Sequence, residues 1–193
     1  MKKLFLLLFL VQLLTIGLAQ SYKNESIFKY GFKAGGNVPL EADFTMIPGM
    51  RSLSAEIGFF GRVGGKVSGE IGLEFYLNKR YFLNNSPYLT SMIETRYLQI
   101  PIRGRYEYSI QKNHNIHAAA GVIYQQLISI SENNIGYNKK MITKSPFLIT
   151  FGVGYTYQFL SFEINYRHFL RNFDIDDTKN KQKQLNFAMY LMF

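Results

Sequence analysis

The sequence predicts an all-β fold, a closed antiparallel up-and-down transmembrane β-barrel of about eight strands. Three observations lead there. Apolar and polar residues alternate with period two in stretch after stretch beyond residue 20, the mark of strands with two unlike faces. Long polar connections alternate with short ones, as a barrel with both termini on one side of a membrane requires. Within the strands, formal charges keep to one face and large apolar residues to the other.

Ahead of the barrel stands a different segment. Met1-Lys2-Lys3 is a short basic start, Leu4–Leu14 is nearly unbroken Leu and Phe, and Gly17-Leu18-Ala19 places small residues where a signal peptidase reads. Residues 1–19 are expected to be a cleaved signal peptide, because the run falls short of the ~20 residues a spanning helix needs. Residues 20–193 then form a single barrel domain. The chain has no Cys, which excludes a disulfide scaffold, a zinc–thiolate site and a catalytic thiol. Its net charge of +9 falls to +7 without Lys2 and Lys3. These charges are mostly isolated along the chain, so no nucleic-acid arm is expected, and anionic lipid headgroups are a natural surrounding.

The strands follow in order. The first, near 27–39, carries Lys33. The second (55–67) and third (69–80) form a hairpin. Ile71, Leu73, Phe75 and Leu77 share one face there, and Glu70 and Glu74 the other. A three-residue turn at Val67-Ser68-Gly69 would pair Lys66 with Glu70 and Arg62 with Glu74, each pair contributing up to ~1 kcal/mol. The same register sets Gly64 against Gly72 and Phe59 against Leu77. In the fourth strand (94–109), Leu98, Ile100, Ile102, Tyr106 and Tyr108 oppose Gln99, Arg103, Arg105 and Glu107. Pro101 removes a ladder donor from this strand and is expected to sit at a bulge. A short connection (110–114) leads to the fifth strand (115–130). In the sixth (145–158), Phe147, Ile149, Phe151, Val153, Tyr155 and Tyr157 alternate with small or polar residues. The connection at Phe159-Leu160 lacks turn-type residues. The seventh strand (161–172) brings Glu163 and Arg167, and the eighth (183–193) alternates to the end.

A lipocalin-like soluble barrel would put its apolar face inside. Here the apolar face is expected to meet lipid. The lumen would then hold a charge network of Lys33, Arg62, Lys66, Glu70, Glu74, Arg103, Arg105, Glu107, Glu163 and Arg167, with both signs available for pairing. Tyr106, Tyr108, Tyr155 and Tyr157 would form part of an aromatic girdle at one membrane interface.

Two segments carry a family resemblance. Tyr30-Gly31-Phe32-Lys33-Ala34-Gly35-Gly36-Asn37 resembles the opening strand of the PorT-like outer-membrane β-barrel family, common in Bacteroidetes. Arg96-Tyr97-Leu98-Gln99-Ile100-Pro101-Ile102 resembles that family's Y-L-x-I-P strand. Phe187, Met189, Leu191 and the terminal Phe193 are similar to the C-terminal signal read by the barrel-assembly machinery. The resemblance implies outer-membrane topology and location. One namesake is linked to secretion across the outer membrane, and the family offers no common catalytic residues.

Chemistry is sparse. His114 and His117 would point to opposite faces of the fifth strand and lack a metal-completing set, so neither a metal nor any other cofactor is expected. His168 with Ser131, Asp174 or Asp176 could imitate an outer-leaflet lipid-modifying site. Lys139, Lys140, Lys144, Lys179, Lys181 and Lys183 lie in or beside two outer loops and are candidate contacts for lipid phosphates. A barrel of about eight strands has a side-chain-filled interior, which excludes a general porin. The expected function is therefore that of a monomeric structural or interaction barrel, contacting lipid or a protein through its outer loops. A lipid-modifying enzyme, a secretion accessory and a soluble binding barrel for a small hydrophobic ligand are the alternatives.

Overall fold

Period-two alternation gives each strand a polar and an apolar face, and closing the sheet on itself removes the exposed edges. The computed structural model of the chain describes residues 28–40, 52–83, 90–133, 147–170 and 183–193. They form eight strands: β1 (Phe28–Pro39), β2 (Ser52–Gly64), β3 (Val67–Leu83), β4 (Thr90–Gln111), β5 (His114–Asn133), β6 (Phe147–Tyr157), β7 (Leu160–Phe169) and β8 (Lys183–Met192). Every strand pairs antiparallel with its neighbours in the chain, and β1 pairs with β8 to close the barrel. The expected signal peptide and most of the long connections lie outside the described residues.

The faces divide by parity. Ile57, Phe59, Ile71, Phe151, Val153 and Ile164 are at least half exposed on the outer wall, whereas Lys33, Arg62, Glu74, Arg105 and Arg167 are buried inside. The barrel is thus the inverse of a water-soluble one, with its apolar side chains outward and its ionised ones enclosed.

One end of the barrel carries the short connections (the turn end), the other the long ones (the loop end). The β2–β3 connection departs from expectation. Its last pair is Gly64 with Ser68, so the three-residue turn is Gly65-Lys66-Val67. Gly64 has φ of 126°, a conformation that glycine adopts without steric cost. Arg62 consequently pairs with Glu70, Phe59 with Leu73 and Gly58 with Glu74. The predicted register is displaced by an even number of residues, so every side chain keeps its face. Lys66 does not join the lumen; it lies exposed at the turn.

The other two turns have two residues each. Gln111 pairs with His114 around Lys112-Asn113, and Tyr157 pairs with Leu160 around Gln158-Phe159. Asn113 and Gln158 adopt positive φ of 69° and 52°, tolerable for Asn and unusual for Gln. Gln158 is held by its neighbours: its backbone N–H donates to the Asn113 carbonyl at 3.0 Å, and the Phe159 carbonyl accepts from Met192 N at 2.7 Å.

Pro101 does not produce a bulge. The β3–β4 register is the same at Ile71–Ile102 and at Glu74–Gln99, on either side of it, and Pro101 pairs with Ile123 in an unbroken run on the β5 side. Gly72 makes this work: a Cβ there would stand 2.9 Å from Pro101 Cγ. The irregularities of β4–β5 lie elsewhere, at Arg96/Tyr97, Ile93/Glu94 and Ser109/Gln111.

The strands are unequal. β3, β4 and β5 have 17, 22 and 20 residues, and β7 and β8 have 10 each. The β4–β5 ladder runs on to Ile93–Asn133, well past Tyr124–Phe147, the last β5–β6 pair. Three strands therefore continue beyond the closed cylinder at its loop end.

Candidate functional site

The lumen is filled by two joined clusters. Near the loop end, Glu56 accepts from Arg167 at 2.6 and 2.9 Å and pairs with Lys33 at 2.7 Å, and Lys33 reaches Glu74 at 2.7 Å. Asn186 donates to Glu56 at 3.0 Å, and Arg167 to Asn37 at 3.1 Å. Toward the turn end, Glu70 is held by Arg62 at 2.7 Å and by Arg103. Glu163 gathers Arg103, Arg105 at 3.3 Å, His117 at 3.0 Å and the Tyr190 hydroxyl at 3.0 Å. Asn165 bridges the clusters, accepting from Arg103 at 3.3 Å and donating to Asn186 at 3.0 Å.

Among the described residues the enclosed charges balance. Lys33, Arg62, Arg103, Arg105 and Arg167 face Glu56, Glu70, Glu74, Glu107 and Glu163. Glu107, at the turn end, accepts from Asn115 at 2.8 Å and lies 3.7 Å from Arg105. Such a network is costly to desolvate and tolerable only when each member is paired. It also blocks the lumen.

Of the lumen residues expected from sequence, nine lie in this interior and Lys66 does not. Glu56 and Tyr190 join it without having been singled out, and so does His117, which the sequence raised only as a possible metal ligand. Glu56 shares strand and parity with Arg62, and that signal was available. His117 is opposite Glu107 in the β4–β5 ladder, but its partner Glu163 stands two strands away. Gly152 and Gly154 lie beneath Asn165 and His117, whose side chains fill the space a Cβ would need.

His114 stands on the outer wall at the turn end, bonded to Tyr155, its ring 4.8 Å from that of Tyr157. Tyr106 and Tyr108 are more than half exposed on the same wall. Phe193 pairs through its backbone with Tyr30, and its ring lies 6.1 Å from Tyr30 and 6.4 Å from Phe32. Phe187 and Met189 are about half exposed.

At the loop end, His168 pairs with Lys183 across β7–β8, and Lys183 is exposed. Ser131 is not brought to His168; it donates to Glu94 at 2.8 Å. Asp174, Asp176, Lys139, Lys140, Lys144, Lys179 and Lys181 lie outside the described residues. Among the described residues no group of three or more His, Cys, Asp or Glu could hold a metal ion.

Glu94 forms a second charged site, on the outer face. It meets Lys79 at 2.8 Å and Arg96 at 2.7 Å. Arg96 is 45 % exposed and Lys79 28 %, whereas the Glu94 side chain is 5 % exposed.

No family model matches the chain, and no curated protein matches it. Solved structures do. Neisserial surface protein A superposes with a TM-score of 0.54 at 13 % identity, covering 89 % of this chain and 100 % of that one. The outer membrane protein OprG of Pseudomonas aeruginosa aligns with a TM-score of 0.45 at 10 % identity, over 86 % of this chain and 94 % of that one. The first of these likenesses shows a shared fold, the eight-stranded closed antiparallel barrel.

Proposed function

We propose that the chain is a small integral outer-membrane barrel that works by contact at its loop end, with outer-leaflet lipid or with a protein, and not by conduction. One observation carries this reading: the wall is apolar outside, and the lumen is shut by a balanced charge network. Apolar side chains exposed around a full cylinder suit acyl chains. A plugged lumen leaves the surfaces to do the work, and β3–β5 extend farthest at the loop end.

The remaining parts of the reading agree with one another. Residues 1–19 direct export and are removed. Phe187, Met189, Leu191 and Phe193 engage the assembly machinery. In this reading the barrel is monomeric and non-catalytic; Ser131, one of the residues considered with His168, donates to Glu94 instead. An accessory part in secretion is the alternative to this role, not an addition to it.

Two measurements test the proposal. The folded protein should extract with membranes and migrate faster unboiled than boiled on an SDS gel; stable dispersal in detergent-free buffer overturns it. A photo-crosslinker placed in residues 131–144 or 173–182 of intact cells should yield a lipid or protein adduct. Absence of any adduct from both loops overturns the contact role.

A further inference from the structure

We propose that Lys79, Glu94, Arg96 and Ser131 form a built site for the phosphate of an outer-leaflet glycolipid. The proposal rests on the outer-membrane reading above and deepens it.

The site is made by a change of register. Within the barrel, β4–β5 runs in the frame that pairs Tyr97 with Leu127. Continued upward, that frame would set Ile128 against Arg96 and Ile130 against Glu94. A shift between Arg96 and Tyr97 inserts one residue in β5, and the partners become Ser129 and Ser131. A second shift follows between Ile93 and Glu94. Bulges re-aim side chains and recur beside functional sites. Here the first puts a hydroxyl where an isoleucine would have been, and Ser131 uses it to hold Glu94 at 2.8 Å.

Glu94 then acts as an internal brace. Its Oε1 accepts from Arg96 Nε at 2.9 Å and lies 2.7 Å from Arg96 Nη2, while Oε2 lies 2.8 Å from Lys79 Nζ. The carboxylate is nearly buried under the two cations, which are 28 % and 45 % exposed. An arginine has five donors in a fixed fork. Glu94 takes one donor each from Nε and Nη2, and the half-exposed guanidinium keeps the two of Nη1 for a further oxyanion. Two braced cations fit a phosphate better than two mobile ones, because less side-chain freedom is lost on binding.

Position selects the source of the phosphate. Arg96 pairs with Leu77 across β3–β4. Directly below on the same face, Phe75 and Leu98 are 41 % and 36 % exposed and begin the apolar wall. An amphiphile seated there lays acyl chains on Phe75 and Leu98 and brings its headgroup phosphate to Lys79 and Arg96. A free phosphate has no use for the wall.

Binding of bisphosphorylated lipid A to the folded protein in phosphatidylcholine nanodiscs tests this, with inorganic phosphate as competitor. Variants are first checked for the faster mobility of folded barrel. Arg96→Gln and Lys79→Gln should each weaken binding roughly tenfold, as expected for one charge-assisted hydrogen bond. Glu94→Gln decides between a brace and bulk charge: it adds a positive charge yet should weaken binding. Equal or tighter binding by Glu94→Gln overturns the proposal, as does unchanged binding by Arg96→Gln. Competition by inorganic phosphate at the same concentration as lipid A overturns the glycolipid assignment. If these fail while loop crosslinking still captures a protein, the contact role stands without this site. Loss of folded mobility in the parent protein sinks both.

Discussion

The closed cylinder and the β3–β5 extension are made of the same strands and obey different rules. In the cylinder the β4–β5 ladder runs in constant register from Tyr97 to Ser109, absorbing even Pro101. In the extension it shifts twice within a few residues. The buried charges of the cylinder point inward and balance in number through shared pairs. In the extension, Arg96 and Lys79 reach solvent around Glu94. Regularity goes with enclosure, where a slip would expose buried charge to lipid. At the loop end irregularity appears where charged side chains are aimed outward, and the proposed contact role rests on that contrast.

The sharpest way to break the contrast is to unbalance the cylinder. Glu163→Ala leaves Arg103, Arg105 and His117 around an empty position and should destabilise the barrel by about 3–5 kcal/mol, read as a lower urea midpoint for loss of folded mobility. A steric change comes next. Gly72→Ala puts a methyl against Pro101 and should cost about 1–3 kcal/mol; adding Pro101→Ala should return most of it. If the double variant stays as weak as the single, the ring is not what Gly72 accommodates. Phe193→Ala removes ring contacts with Tyr30 and Phe32 at the closing seam, for about 0.5–1.5 kcal/mol per aromatic pair in addition to the lost area. The smallest stability effect belongs to the extension. Arg96→Gln should fall within about 0.5 kcal/mol, because a half-exposed ion pair contributes little. A loss there as large as that of Glu163→Ala would erase the distinction between the regions.

Much of the cylinder was legible from residues alone, because strand parity is a local property. Ile71, Leu73 and Phe75 against Glu70 and Glu74 assign two faces without any knowledge of partners. The hairpin register was harder. Setting Arg62 against Glu74 or against Glu70 makes an opposite-charge pair either way, so charge could not decide. The turn decided, through a positive φ at Gly64. Contacts across the lumen, such as Glu56 with Arg167, depend on closure and leave no mark in either strand. The bulge at Ile128 was hidden for the opposite reason: Ile128-Ser129-Ile130-Ser131 reads as perfect alternation. That regular pattern concealed one of the places where the ladder shifts.

The neutral interior also constrains how the molecule can be made. Glu56 on β2 finds Arg167, 111 residues later, and Asn186, 130 residues later. Neither partner is present while only the N-terminal strands have been laid down. A half-built sheet would carry lone carboxylates and guanidinium groups on one side, and a hydrocarbon phase would not admit them. Insertion one strand at a time would carry that cost at every step until the partners arrive. Pairing the final seam before or together with entry into a bilayer avoids that cost, and contacts so distant along the chain slow its formation.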